Sequence, residues 1–188
     1  MTTKTQRPSP VPFVEYLLKK YVPPSGLLLD VGCGPALYRK TTPARYIGFD
    51  LVPRSNLADR PRFVDLIASG MEIPVRRNTI DVVFVKSALY QFADPQKALA
   101  EFCRVLKPAG RVLIVDYNRR TQKRLKKKEG QKRPCWTQWE LRALCRQAGF
   151  KNCRLLLPFA RDIRRGLRWF YLLGQEIVGQ CAIVTGVK

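Results

Sequence analysis

The feature that most constrains this sequence is an apolar run that ends in an acidic residue and a glycine pair. The stretch Leu27–Val31 is short and hydrophobic, contains Asp30, and is followed directly by Gly32 and Gly34. A run of this length and composition predicts a buried parallel strand. Glycines at the exit of such a strand let the backbone approach a ligand closely. We therefore expect a ligand-binding turn here, with Pro35 opening a helix behind it.

The charges around this turn indicate which ligand it binds. A dinucleotide fingerprint requires a third glycine where this chain has Leu37. The Asp30 carboxylate disfavours a pyrophosphate, whereas a ligand with an ammonium and a sulfonium has no such conflict. Asp50 ends the next predicted strand, where an acidic residue can accept hydrogen bonds from both ribose hydroxyls. The pattern favours a nucleoside ligand with a cationic tail over a structural glycine-rich turn.

The rest of the chain alternates between strand and helix patterns. The further predicted strands are 45–49, 62–68, 79–85, 111–116, 154–158 and 181–185. The predicted helices are 13–21, a segment capped by Asp94, and a segment that opens with the capping box Thr137–Glu140 and ends at Gly149. A turn is expected at 107–110. This alternation predicts a parallel sheet with helices on both faces and a ligand site at the carboxyl ends of the strands.

Composition limits the class of protein. A chain of 188 residues that is 46% hydrophobic fits one domain with a full core. Its six cysteines form no C-x-x-C pair and it has no histidine, so we expect no metal site and reduced thiols. Residues 1–12 are polar and proline-rich, which predicts a flexible segment rather than a secretory signal. No apolar run is long enough to span a membrane, so a cytoplasmic location is expected.

Five stretches resemble the class I S-adenosylmethionine-dependent methyltransferases, and within them the methyltransferase type 11 or ubiquinone-methyltransferase-like group. They are Leu27–Gly34, Tyr46–Asp50, Asp81–Pro95, Ala98–Asp116 and Trp139–Phe150. The resemblance implies one domain over residues 13–188 with a Rossmann-like three-layer α/β fold. It further implies a seven-stranded, mostly parallel sheet in the order 3-2-1-4-5-7-6, with the last strand antiparallel. The implied cofactor is S-adenosyl-L-methionine.

The resemblance also assigns cofactor positions. Asp30 and the glycine turn would cradle the methionine part, Asp50 would hold the ribose, and Lys86 would contribute mainly its backbone. Where the family usually has an Asp near the adenine amino group, this chain has Ser69, and Asp65 is an alternative partner at a worse spacing. The implied cofactor-binding residues are Asp30, Gly32, Cys33, Gly34, Asp50, Leu51, Ser69, Gly70, Met71 and Lys86.

Methyl transfer from a sulfonium is an in-line displacement, so positioning supplies much of the rate. A hydroxyl acceptor would also need a base, and the positions where the family often has histidine are Tyr90 and Gln91 here. The catalytic candidates at strand exits are Asp116, Tyr90 and Tyr117, each of which could instead only shape the pocket. Either the acceptor is already nucleophilic, such as a phenolate, enolate, thiol or amine, or Asp116 acts as the base. We favour the first reading.

The chain also carries a large positive charge. It has 35 Lys and Arg against 14 Asp and Glu, a formal net charge of +21, which attracts polyanions. Nine basic residues and one acidic residue lie in the basic loop 119–134, which we expect over the mouth of the cofactor cleft. In the segment 161–178, apolar residues recur at helical spacing beside arginines, which is typical either of a helix on a membrane surface or of ordinary packing.

These features predict a methyltransferase that acts on a small-molecule or lipid-like acceptor and associates peripherally with an anionic membrane surface. Two alternatives stay open. The first is an RNA-modifying methyltransferase, which the net charge motivates. The second is a non-catalytic binding domain that kept the fold, which Ser69 and the missing histidine motivate.

Overall fold

The computed structural model describes residues 11–42, 44–51, 64–119, 121–123, 136–156 and 181–188. Its helices are α1 (Val11–Tyr21), α2 (Pro95–Val105) and α3 (Gln138–Gln147), with a 3₁₀ turn at Leu89–Gln91. Its strands are β1 (Leu27–Val31), β2 (Arg45–Asp50), β3 (Leu66–Ile67), β4 (Ile80–Lys86), β5 (Leu106–Tyr117), β6 (Lys151–Leu155) and β7 (Cys181–Val187). The segment 161–178, most of the basic loop and residues 1–10 lie outside the described residues.

The described strands form one sheet in the order β3-β2-β1-β4-β5-β7-β6. The first five run parallel, whereas β7 runs antiparallel to both β5 and β6. The Rossmann-like α/β fold, the strand order and the antiparallel last strand predicted from the sequence are therefore confirmed. The direction in which strands are added reverses between β1 and β4. At such a switch point, the carboxyl edge of an open α/β sheet forms a crevice for ligands.

Both faces of the sheet are apolar, and each packs against helices. On one face, Leu99 and Phe102 of α2 and Leu141 of α3 are fully buried against the sheet. On the other face, Leu18 of α1 packs in a cluster with Phe84 of β4. Burying one such side chain contributes about 1.5–3 kcal/mol. Within the described residues, no helix combines the length and the apolar character needed to cross a bilayer.

The helix predicted after Pro35 is not present, and this prediction was wrong. Residues 34–41 form a series of tight turns, closed by hydrogen bonds from Ala36 N to Cys33 O (2.9 Å) and from Arg39 N to Ala36 O (3.1 Å). Ala36 has a φ of +49°. A left-handed residue interrupts a right-handed helix, so the local preference of Pro35 for a first helical turn is overridden by the conformation that follows it.

Several predicted boundaries differ from the structure, and the strand expected at 62–68 keeps only Leu66–Ile67 among the described residues. Two further differences show the reason. The turn expected at 107–110 lies inside β5 as a bulge, because pairing with β4 passes from Leu106 directly to Arg111. The strand expected at 154–158 is β6, which starts earlier because its pairing with β7 extends to Lys151. Both differences arise from pairing with a neighbouring strand, which a local pattern does not contain.

A charged pair on α2 anchors the loop between β3 and β4. Glu101 accepts the Ile73 N–H at 2.9 Å. Arg104 donates to the carbonyls of Ile73 (2.8 Å) and Val75 (2.9 Å), and also to Glu101. Because this loop contains Ser69, the pair holds one side of the carboxyl edge of the sheet in place.

The predicted capping box at the start of α3 offers a test of local stability. Thr137 accepts the Glu140 N–H at 3.2 Å, and Glu140 accepts the Thr137 N–H at 2.7 Å. Replacing Thr137 with alanine leaves one N–H of the first turn without its acceptor. We expect the free energy of unfolding, measured by urea denaturation, to fall by about 1 kcal/mol.

The matched control is Thr137→Ser, which keeps the hydroxyl. Its free energy of unfolding should stay within about 0.5 kcal/mol of the wild-type value. An alanine variant as stable as the wild type would show that the cap contributes nothing.

Candidate functional site

A cavity of about 390 Å³ opens at the carboxyl ends of β1, β2 and β4. A second cavity of about 160 Å³ adjoins it on the side of β3. The two cavities share the wall residues Gly32, Asp50, Leu51, Gln91 and Phe92. They therefore form one continuous feature at the switch point of the sheet, which we call the strand-tip cleft.

The ten cofactor-binding residues implied by the resemblance all lie in the wall of this cleft, whereas the alternative adenine partner Asp65 does not. The larger cavity is lined by Asp30, Gly32, Cys33, Gly34, Asp50, Leu51 and Lys86. The smaller cavity is lined by Gly32, Asp50, Leu51, Ser69, Gly70 and Met71. The tertiary structure thus brings together residues from three strand ends and one loop.

The glycines after β1 are required for different reasons. Gly32 has a φ of +67° and Gly34 a φ of +52°, in the left-handed region that glycine enters without strain. A Cβ on Gly32 would lie 2.6 Å from the Cβ of Ala88, whereas a Cβ on Gly34 would meet no heavy atom of the chain within 4 Å. Packing therefore excludes a side chain at Gly32, and Gly34 leaves its backbone open to a ligand.

Asp30 is a buried carboxylate in the wall of the larger cavity. Its exposed fraction is 2%, and it accepts a hydrogen bond of 2.5 Å from the Tyr46 hydroxyl. Burial raises the pKa of Asp30 to about 7, against the opposing effects of the Tyr46 hydrogen bond and the Lys86 charge. Asp30 is therefore poised between its neutral and charged forms, and a cationic ligand would favour the charged form.

Tyr46 reaches Asp30 because position 48 has no side chain. The register of β1 and β2 pairs Leu28 with Tyr46 and Asp30 with Gly48, so the tyrosine and the aspartate lie on the same face. A Cβ on Gly48 would lie 2.8 Å from Tyr46 Cε1 and 3.0 Å from its hydroxyl. Sequence reasoning missed this contact. The available signal was a glycine inside a strand, which marks a close approach.

Arg39 and Asp65 extend this network away from the cleft. The Arg39 guanidinium lies 4.4 Å from the centre of the Tyr46 ring and donates to Asp65 at 2.6 Å. Asp65 also accepts the Gly48 N–H at 2.8 Å. The alternative adenine partner suggested by the sequence, Asp65, thus ties β2 to Arg39, and it is not among the wall residues of either cavity.

Asp50 connects the glycine turn to the tip of β2. Its Oδ2 accepts the Gly34 N–H at 2.9 Å, and its Oδ1 accepts the Leu51 N–H at 2.8 Å. Each carboxylate oxygen has a further lone pair, so Asp50 can also accept hydrogen bonds from ligand hydroxyls. Its position at the junction of the two cavities is fixed by backbone donors.

The smaller cavity combines a serine turn with an aromatic ring. Ser69 Oγ accepts the Met71 N–H at 3.2 Å and so shapes the turn. A Cβ on Gly70 would lie 2.6 Å from two atoms of the Phe92 ring, which means that the ring packs directly on Gly70. Phe92 lines both cavities and gives this part of the cleft an apolar surface.

The three catalytic candidates lie behind the wall of the cleft. Asp116 is fully buried, and its carboxylate accepts the N–H groups of Tyr90 (2.8 Å) and Tyr117 (2.7 Å). Lys86 pairs with Val115 and points to the same face of the sheet. Asp116 is the next residue of β5 and therefore points to the opposite face. None of the three candidates is among the wall residues of the two described cavities. In the structure Asp116 positions the segment after β4.

Four residues that follow β4 line the cleft without having been assigned by sequence reasoning. They are Ser87, Ala88, Gln91 and Phe92. Ser87 has a φ of +54°, which turns the chain after β4, and the 3₁₀ turn then returns Gln91 and Phe92 to the wall. Their residue types carry no distinctive chemistry, so the available signals were their place after a strand end and, for Gln91, the resemblance to a family that often has histidine at this position.

The wall offers a limited set of ionisable groups. Asp30, Asp50 and Lys86 are acidic or basic, whereas burial raises the pKa of the Cys33 thiol to about 12 and keeps it neutral. Among the described residues, no group of three or more His, Cys, Asp or Glu is placed to hold a metal ion. The site is equipped to bind a polar ligand that carries both charge and hydroxyl groups.

The raised pKa of Asp30 makes folding stability depend on pH. Asp30 keeps its proton in the folded chain up to about pH 7, whereas in the unfolded chain it loses it near the ordinary value of 3.8. Between these limits the folded chain binds more protons. The stability of the wild type should therefore fall, relative to Asp30→Asn, by up to about 1.4 kcal/mol per pH unit as pH rises through this window, and level off above it.

Urea denaturation of both proteins over this pH range measures the difference. If the two stability profiles run parallel between about pH 5 and about pH 7, in the upper part of this window, a group other than Asp30 carries the proton.

Comparison with known proteins shows a similarity to methyltransferases over part of the chain. Residues 29–114 match the family described as methyltransferase domain. The ubiquinone/menaquinone biosynthesis C-methyltransferase UbiE of Idiomarina loihiensis is 36% identical over 73 residues, which are 39% of this chain and 28% of that protein. The human tRNA N(3)-cytidine methyltransferase METTL2B is 29% identical over an alignment of 176 positions, and the match covers 74% of this chain and 46% of that protein. The chain thus spans less than half the length of these relatives.

A solved structure shares the fold over nearly the whole chain. The methyltransferase in the complex with the Haloferax volcanii Trm112 methyltransferase activator superposes with a TM-score of 0.68 at 20% identity, covering 93% of this chain and 88% of that one. At this identity the likeness shows the fold alone. The matched segment 29–114 holds the glycine turn, both acidic strand ends and β4. With the seven-stranded topology around it, this segment makes the chain similar to methyltransferase domains in sequence over residues 29–114 and in fold.

Proposed function

We propose that this chain is a methyltransferase that binds S-adenosylmethionine in the strand-tip cleft. The observation that carries the proposal is the placement of Asp30 and Asp50 at neighbouring strand tips around a cavity of about 390 Å³, with Gly34 between them. In a class I methyltransferase fold, this pairing of acidic residues around an open glycine turn supports a site for one adenosyl ligand.

The groups in the cleft fit the parts of this cofactor. Asp30 offers a carboxylate to the cationic methionine part, and Gly34 leaves the backbone uncovered beside it. Asp50 has lone pairs left for the ribose hydroxyls. Around the smaller cavity, Phe92 offers an apolar surface to the adenine ring and the turn Ser69–Met71 offers backbone groups to its edge.

S-adenosylmethionine supplies an electrophilic methyl group on a sulfonium. The chain contributes binding and orientation, which supply much of the rate in an in-line displacement. Cys33 stays protonated, and Asp116 holds the backbone of Tyr90 and Tyr117. This set of residues supports an acceptor that is already nucleophilic, such as a phenolate, enolate, thiol or amine, over one that needs Asp116 as a base.

We propose a small-molecule or lipid-like acceptor, approached from an anionic membrane surface. The support is the net charge of +21, the nine basic residues of the basic loop, and the spacing of apolar and basic residues in the segment 161–178. The similarity to UbiE, whose name refers to ubiquinone and menaquinone biosynthesis, agrees with this acceptor class.

RNA is the second candidate acceptor. METTL2B, named as a tRNA methyltransferase, matches 74% of this chain, a larger share than UbiE does. A strongly basic protein is also attracted to phosphates of nucleic acid. The choice between the two acceptors therefore depends on what the basic loop binds.

The cofactor assignment is tested at Asp50. Replacing Asp50 with alanine removes the acceptor for the ribose hydroxyls and releases the Gly34 N–H. We expect the affinity for S-adenosylmethionine, measured by isothermal titration calorimetry, to fall at least tenfold, or about 1.4 kcal/mol.

The matched control is Glu72→Ala. Glu72 is an exposed carboxylate that pairs with Lys97, and it is not among the wall residues of the cleft. Its loss should change the affinity by less than about twofold. Unchanged binding by the Asp50 variant would refute the ribose assignment. No binding to the wild type at millimolar cofactor would instead favour the non-catalytic domain.

The acceptor class is tested with vesicles and tRNA. We expect the protein to sediment with phosphatidylglycerol-containing vesicles and not with pure phosphatidylcholine vesicles. Changing Lys126 and Lys127 of the basic loop to glutamine should weaken this binding about 30-fold, since each basic residue near the surface contributes about 1 kcal/mol. The control changes Lys19 and Lys20, which are exposed on α1, and should have a smaller effect.

A gel-shift experiment with tRNA at the same salt concentration completes this test. If the protein forms a tRNA complex that depends on Lys126 and Lys127 and does not bind vesicles, RNA replaces the small-molecule or lipid-like compound as the proposed acceptor. Binding to neither surface would contradict both candidates.

A further inference from the structure

Lys86 and Asp30 place opposite charges on the same wall of the larger cavity. Lys86 ends β4 and Asp30 lies near the end of β1, and both line the cavity. The register pairs Asp30 with Phe84, two residues before Lys86, so the two charged side chains point to the same face of the sheet. The cleft therefore presents a carboxylate and an ammonium on the same wall.

The surroundings of Lys86 keep its ammonium at the cavity. Its Nζ lies 5.9 Å from the centre of the Tyr38 ring, and Tyr38 is itself a wall residue. The charge of Lys86 also acts on Asp30 and favours its carboxylate form against burial. Asp30 in turn is held by the Tyr46 hydroxyl. Each of the two groups thus has an aromatic side chain beside it in the structure, Tyr38 at Lys86 and Tyr46 at Asp30.

A cation in this cavity needs an anionic partner on the ligand. Beside a sulfonium alone, the Lys86 ammonium would be repulsive. The amino acid end of S-adenosylmethionine carries an ammonium and a carboxylate on one carbon, so it matches a wall that carries both opposite charges.

We propose that the Lys86 ammonium binds the α-carboxylate of the cofactor, while Asp30 binds the α-ammonium of the same group. This inference rests on the proposed function and assigns Lys86 a role through its side chain, beyond the backbone contribution expected from the sequence. It makes Lys86 the residue that distinguishes the complete cofactor from analogues without a carboxylate.

Three ligands separate the contributions to binding. S-adenosylmethionine and decarboxylated S-adenosylmethionine differ in the α-carboxylate alone, and 5′-methylthioadenosine lacks the whole amino acid end. Their affinities are measured by calorimetry on the wild type, on Lys86→Met and on Lys86→Arg, which keeps the charge. Lys97→Met serves as the control, because Lys97 is an exposed lysine of α2.

We expect Lys86→Met to bind S-adenosylmethionine about tenfold more weakly than the wild type does. The same variant should bind the decarboxylated analogue no more weakly than the wild type does. Its affinity for 5′-methylthioadenosine should stay within about twofold of the wild-type value. Lys86→Arg should retain most of the affinity for the complete cofactor, and Lys97→Met all of it. Normal binding of 5′-methylthioadenosine also shows that the variant is folded around the cleft.

Other outcomes overturn the proposal in distinguishable ways. Unchanged binding of S-adenosylmethionine to Lys86→Met would exclude a contact with the carboxylate. Equal weakening of the complete and the decarboxylated cofactor would mean that Lys86 acts through Asp30. Weakening of all three ligands would mean that Lys86 shapes the cavity. A wild-type protein that binds none of them would refute the proposed function itself.

Discussion

The candidate site depends on a carboxylate that is kept buried at the end of a central strand. Removing Asp30 from water disfavours its charge, and the Tyr46 hydroxyl and the Lys86 ammonium oppose that effect. Tyr46 can reach Asp30 because Gly48 leaves space for its ring. The acidic wall of the cleft is therefore a product of three neighbouring strands, and each partner contributes through a different physical effect: hydrogen bonding, charge or the absence of a side chain.

The alternation of side chains along the strands determines which polar groups reach the cleft. Asp30 and Lys86 share one face of the sheet by register. Asp116, one residue beyond the partner of Lys86, falls on the other face and bonds the backbone after β4. Two acidic residues at strand exits thus have different environments.

Short sequence patterns predicted the features of the fold that depend on interactions between residues close in the chain. The Asp94 cap of α2 and the capping box of α3 were predicted correctly, because a side chain and a backbone N–H three residues apart decide them. The helix expected after Pro35 was predicted wrongly, because Ala36, the residue after Pro35, has a left-handed backbone conformation. The contact between Tyr46 and Asp30 was also missed, since it spans two strands and depends on their register.

By itself the sequence determined the class of fold and the acidic and glycine residues that gather at the carboxyl edge, whereas the order of the strands was implied by the resemblance to class I methyltransferases. Hydrophobic runs, glycines and acidic strand ends are read within a few residues, and parallel strands bring their ends to one edge of the sheet. The tertiary structure alone decided that Asp30 is buried, that Asp65 is tied to Arg39, and that Phe92 closes onto Gly70. The burial, the pKa and the packing of these side chains depend on residues that are distant in the sequence. Strand register brings those residues into contact.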